Sequence, residues 1–133
     1  MSPVARRLLP TIALGALIAC VILLPLVAQS REPREIVLVA KQMSFIGQGG
    51  TVRNPTILVN PGERIRLTLV NEDPGVGHDF VVRAWSVSTP LLQGLGTTSV
   101  VFRAPDTAGS VDYACSKHLS MMTGTIDVVA PGS

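Results

Sequence analysis

The run Tyr113-Ala114-Cys115-Ser116-Lys117-His118-Leu119-Ser120-Met121-Met122-Thr123-Gly124-Thr125-Ile126-Asp127-Val128 packs a thiol, an imidazole and a thioether into eight positions. Cys115, His118 and Met122 lie between a segment ending at Tyr113 and one resuming at Thr123. A tight loop of that length points all three side chains at one small volume. Thiolate and thioether are soft donors that favour copper(I), while imidazole suits both copper oxidation states. A trigonal site of two His and one Cys with a weak axial Met is the blue-copper arrangement. It requires one more histidine, and the chain has one other, His78.

Outward from this loop, the chain reads as short strands separated by turn residues. Thr123–Val129 is the closing strand, with Ile126 and Val128 on one face and Asp127 on the other. Ser110–Ala114 leads into Cys115, preceded by a Pro/Gly turn over Ala104–Gly109 and a strand over Ser99–Arg103. Ala84–Thr98 is less regular and is expected to wrap outside the sheets. Asn71–Gly77 is a polar loop delivering His78 to the start of a strand over Asp79–Arg83. Arg64–Val70 alternates, with Ile65, Leu67 and Leu69 on one face, which is the period of a half-buried strand. Asn60-Pro61-Gly62-Glu63 is a turn by composition, and Thr56–Val59 a strand opened by Asn54-Pro55. Glu35–Ala40 is a β-branched run leading into Met43-Ser44-Phe45. Many short strands and no convincing helix predict an all-β fold, an antiparallel β-sandwich.

Taken singly, each candidate ligand has a plain structural reading. Cys115 could be a small buried hydrophobe, the histidines loop or surface residues, and Met121 and Met122 core fillers. Together they fall into an order that resembles a cupredoxin. The resemblance rests on Gly77-His78-Asp79-Phe80 after a polar loop, then Tyr113-x-Cys115-x-x-His118, then Met-x-Gly-Thr-Ile entering the last strand. Asn54-Pro55-Thr56-Ile57 followed by Pro61-Gly62 is similar to the family's early strands, so the likeness runs from about Glu35 to Val129. It implies a Greek-key β-sandwich or barrel, one type 1 copper ion, and electron transfer with a redox donor and acceptor of the respiratory or photosynthetic type. The metal ligands it implies are His78, Cys115, His118 and Met122. Met122-Thr123-Gly124 fits the family's Met-x-Gly and an azurin-like register, while amicyanin-like loops would pick Met121 as the alternative axial ligand. Asp79 stands where many relatives have Asn, whose amide ties the two ligand loops together. An ionised Asp accepts hydrogen bonds but does not donate through its side chain, which leaves that tie open. Ser116 and the backbone N–H groups beyond Cys115 are the alternative donors to the sulfur. By the same resemblance, the His118 edge would emerge through an apolar patch drawn from Leu119, Val76 and Pro74. Trp85 is expected to pack at the core or an edge, and Asp112 and Lys117 to be solvated.

The remaining features narrow the function class. Net charge is +2 over 133 residues, with 15% charged residues. From Glu35 onward seven bases face eight acids. No basic patch with interleaved aromatics appears, which argues against nucleic acid as a partner. Leu8 to Ala28 holds 21 uncharged residues after Arg6 and Arg7, and as a helix would extend about 31 Å, enough for a bilayer core. Residues 1–34 are therefore expected to be a membrane anchor or signal segment plus linker, and residues 35–133 the copper-binding domain. The segment reads as an uncleaved anchor, a signal cleaved near Ala28-Gln29-Ser30, or a lipoprotein signal ending at Cys20. In each case the domain would lie on the extracytoplasmic side of a membrane. Cys115 is then a lone cysteine in that domain, so no disulfide staples it.

A site built from four protein ligands leaves no open coordination position for a substrate, which argues against an enzyme. A thiol nucleophile paired with His118 would need an exposed, activated thiolate and an orienting third group, and nothing specific supplies them. A binuclear copper loop needs a second Cys, and none is present. The alternative to an electron carrier is a copper-binding module for delivery or storage.

Overall fold

The computed structural model describes residues 32–130. The expected amino-terminal hydrophobic helix, and the anchor or signal segment containing it, lie outside the described residues. Within them are eleven strands and one 3-10 turn, Arg83–Trp85. The first strands are β1 (Arg34–Lys41), β2 (Ser44–Gly47), β3 (Ile57–Val59), β4 (Arg64–Asn71), β5 (Gly77–His78) and β6 (Val81–Val82). They are followed by β7 (Val87–Ser88), β8 (Leu92–Gln93), β9 (Gly96–Arg103), β10 (Gly109–Ala114) and β11 (Thr123–Val128). One sheet has the order β2-β1-β4-β9, a second β3-β11-β10-β6-β7, and β5 pairs with β8 as a separate ribbon.

Alternation in β4 does what its sequence predicts. Ile65, Leu67 and Leu69 are fully buried, and each such side chain contributes about 1.5–3 kcal/mol relative to exposure. They meet Leu38 and Ala40 of β1, Ile126 and Val128 of β11, and the aromatic trio Phe45, Phe80 and Tyr113 in one core. That core draws on both main sheets, so the fold is a β-sandwich. It is mixed rather than purely antiparallel: β1 runs parallel to β4, and β3 parallel to β11. The chain places β3 in the opposite sheet between β2 and β4, and such a crossover is what allows parallel neighbours.

Three local expectations are corrected. Ala84–Thr98 does not simply wrap outside the sheets. Gly96–Thr98 belong to β9, which pairs with β4 along its full length, and β7 extends the second sheet beside β6. Those short pieces are too brief to leave a periodic signal. Trp85 packs against Phe102 with ring centroids 5.9 Å apart, as expected. His78 does not open the following strand but sits in the β5–β8 ribbon. Met43 does not enter β2, because Gln42 and Met43 form the two-residue turn between Lys41 and Ser44.

Both turn residues have positive φ, 50° and 57°, the pattern of a type I′ hairpin that Asn-Gly normally supplies. For residues with a side chain that conformation costs about 1–2 kcal/mol each, so something else must hold the turn. The turn at Asn60–Glu63 is orthodox by contrast. Gly62 has φ 66° where a type II turn demands it, and Glu63 N–H donates to Asn60 O at 3.2 Å.

Candidate metal centre

Two segments bearing candidate ligands are brought to one end of the sandwich by ordinary packing. Val81 pairs with Ala114 across β6 and β10, and the Phe80 ring stacks on Tyr113 at 5.3 Å. His78, two residues before Phe80, and Cys115, two after Tyr113, then emerge side by side. The His78 Nδ1 lies 3.8 Å from Cys115 Sγ, and His118 Nδ1 3.5 Å from the same sulfur. One ligand atom from each of the three residues fits within 4.8 Å of the others. The two imidazole rings are 5.0 Å apart.

The loop returns on itself to present the methionines. His118 N–H donates to Cys115 O, Met121 and Met122 N–H both donate to His118 O, and Cys115 N–H closes the loop onto Met122 O at 3.0 Å. Met122 is fully buried while Met121 is 51% exposed. The β11 alternation explains which is which. Gly124, Ile126 and Val128 are buried at even positions, and the same parity carried back turns Met122 inward. That signal was available in the sequence from Ile126 and Val128.

The donor set fits a copper ion. With metal–ligand lengths of about 2.0–2.3 Å and a trigonal angle, sulfur and nitrogen donors sit roughly 3.7 Å apart, which matches the two observed separations. A thiolate, two imidazoles and a nearby buried thioether are the soft and borderline donors that select copper. Burial lifts the Cys115 thiol above its ordinary value, against the pull of backbone N–H groups from Asp79 and Lys117 directed at the sulfur. Without a metal the group therefore stays a thiol at neutral pH, and metal binding must expel its proton.

The tie between the ligand loops is made after all, with its donors and acceptor distributed so that Asp79 need only accept. Ser116 N–H donates to Asp79 Oδ1 and Ser116 Oγ to Asp79 Oδ2, both at 2.6 Å. Ser116 thus serves Asp79 rather than the sulfur, whose backbone donors include the expected N–H beyond Cys115.

Two residues that the sequence does not mark as belonging to the site also shape it. Asn54 adopts φ 46°, accepts Phe45 N–H through Oδ1 and donates through Nδ2 to Met121 O at 2.8 Å. It thereby fastens the ligand loop to β2. Asp73, in the polar loop, lies 3.0 Å through Oδ2 from His78 Nε2. Burial alone would raise its carboxyl, but N–H bonds from Gln42 and Met43 and the His78 contact hold it below the usual range. Asp112 and Lys117 are exposed, as expected.

A β-sandwich with these candidate donors gathered at one end has likenesses among solved structures. Auracyanin A, a "blue" copper protein from the green thermophilic photosynthetic bacterium Chloroflexus aurantiacus, matches with TM-score 0.56 and 18% identity over 74% of this chain and 100% of its own. Auracyanin B matches with TM-score 0.59 and 22% identity over 74% of this chain and 91% of its own. The multicopper oxidase McoA from Aquifex aeolicus gives TM-score 0.60 and 14% identity over 73% of this chain, but this chain spans only 27% of the oxidase. The described domain therefore shares its fold with these proteins, a cupredoxin-like β-sandwich. No family model matches the sequence, and no curated protein does.

Proposed function

We propose that the chain is a type 1 blue copper protein that carries single electrons between redox partners. His78, Cys115 and His118 are its equatorial ligands and Met122 its axial one. The observation that carries this reading is the convergence of the three donor atoms beside a buried Met122 in a cupredoxin fold. Copper held there would gain or lose one electron at a time. The protein's part is to hold the donors still. Cys115 and His78 are fully buried in the core, and the ligand loop is closed by backbone bonds at both ends. Little has to move when the charge changes, as a rapid carrier requires.

His118 is the histidine ligand with partial exposure, so electrons would enter and leave through its ring. Leu119 is 48% exposed beside it in sequence, and with Pro74 and Val76 would form the apolar surface where partners dock. The domain would work on the extracytoplasmic side of a membrane, held or exported by the uncharged run Leu8–Ala28. Four protein ligands leave no coordination position for a substrate, which supports a carrier over an enzyme.

Copper loading of residues 31–133 should give an intense visible thiolate-to-copper band and a reversible one-electron wave with copper retained in both states. Loading without such a band would reject the type 1 site. Release of copper on reduction would replace the carrier reading with delivery or storage. A second comparison isolates the axial ligand. Met121→Leu should leave spectrum and potential unchanged, whereas Met122→Leu should shift both; the reverse pattern would move the assignment to Met121.

A further inference from the structure

We propose that Asp73 is a positioning residue for the copper site, setting the tautomer and orientation of His78 and coupling that ligand to the β1–β2 turn. This rests on His78 being a ligand through Nδ1, but its central contact is visible without any metal. His78 is fully buried, so its outer nitrogen requires a protein partner. Asp73 Oδ2 is that partner at 3.0 Å. A carboxylate only accepts, so Nε2 carries a proton, and in the neutral ring that leaves the Nδ1 lone pair facing Cys115. Partners of this kind fix ring orientation and raise ligand basicity in metal sites.

The same carboxylate does a second task. Gln42 N–H donates to Oδ1 at 2.8 Å and Met43 N–H to Oδ2 at 3.2 Å. These are the two turn residues with positive φ and no glycine or asparagine to ease it. Asp73 is itself fixed from behind. Its N–H donates to Asn71 Oδ1 at 2.9 Å, and Asn71, buried at the end of β4, donates through Nδ2 to Val76 O at 2.8 Å. Glu72 N–H reaches back to Ala40 O. One side chain therefore anchors a strained hairpin turn on one side and a metal-ligand ring on the other. The polar loop between β4 and His78 is built to hold it there.

The test separates the ligand role from the turn role. In the copper-free wild type, the nitrogen-15 resonances of His78 should report a protonated Nε2 hydrogen-bonded to a carboxylate. Asp73→Ala should disturb that tautomer and weaken copper binding by about 10–100-fold. Asp73→Asn, whose amide still accepts but carries no charge, should raise the reduction potential while retaining copper. Installing Gln42→Asn and Met43→Gly in the Asp73→Ala protein should restore thermal stability, since those residues suit the turn, but not copper affinity. Recovery of affinity along with stability would overturn the proposal, as would an Nε2-unprotonated ring in the wild type or a wild-type potential in Asp73→Asn. Failure of the wild type to bind copper would sink the electron-carrier reading and Asp73's role toward copper with it, whereas a wrong tautomer in the copper-free spectra, with copper still bound, would overturn this proposal alone.

Discussion

Cys115→Ser should abolish the visible thiolate band and weaken copper binding by more than the roughly 10–100-fold that loss of an outer partner costs. The band originates in the sulfur, and a serine hydroxyl is neither soft nor readily ionised. No other donor can take its place. Cys115 is the one free cysteine among the described residues and is fully buried, so water cannot enter as a substitute without opening the core. The fold, by contrast, should survive. An unsatisfied hydroxyl in that position would cost about 1–3 kcal/mol, but the backbone N–H groups of Asp79 and Lys117 already point there and can donate to oxygen. Absorption spectroscopy and copper titration, run beside thermal melting of the copper-free protein, separate the two effects. A persistent intense band in the serine variant would remove Cys115 from the site.

The second large effect is expected at Gly124, and it concerns stability. A Cβ at this position would overlap the Tyr113 ring, including its Cζ and Oη atoms. The two residues face each other directly across β10 and β11. Tyr113 cannot move aside: its hydroxyl donates to Pro55 O at 2.7 Å, and its ring packs against Phe80 and Phe45. Overpacking a rigid core costs about 1–3 kcal/mol and sometimes more, and Gly124→Ala should lie at the upper end. In a domain of this size about 3 kcal/mol lowers the melting temperature by roughly 12–24 °C. Tyr113→Leu would remove the obstructing ring, so the double variant should lose less than the sum of the two single changes. An unchanged melting temperature for Gly124→Ala would refute the steric account. Glycine at this place in the Met-x-Gly pattern thus has a packing reason: it leaves room for the aromatic ring that positions the start of the ligand loop.

Much of the site was legible because its chemistry is carried by residue type and order. The domain's single Cys and the chain's two His stand at positions 78, 115 and 118, and the structure gathers all three. Neighbouring contributions were not legible. Asp79 is read from sequence as an acceptor lacking a donor side, and it becomes a tie because Ser116 turns both its N–H and its hydroxyl toward it. Asn54 looks like the start of a strand and is a clamp on the ligand loop. Asp73 is one acid in a polar loop, and nothing local distinguishes it from Glu72, which forms an exposed pair with Lys41.

The linear chain by itself determined the strand alternation, the punctuation between strands and the donor types offered to a metal. These depend on side-chain period and on intrinsic chemistry, both of which are local. Only the tertiary structure decided the parallel pairing of β1 with β4, the strained Gln42–Met43 turn, and the carboxylate shared between that turn and His78. Each of these depends on groups about 30 residues apart meeting in space, although Asp73 and His78 themselves are five apart. Such contacts become favourable only when one buried core has drawn both sheets together, so no window of sequence contains them.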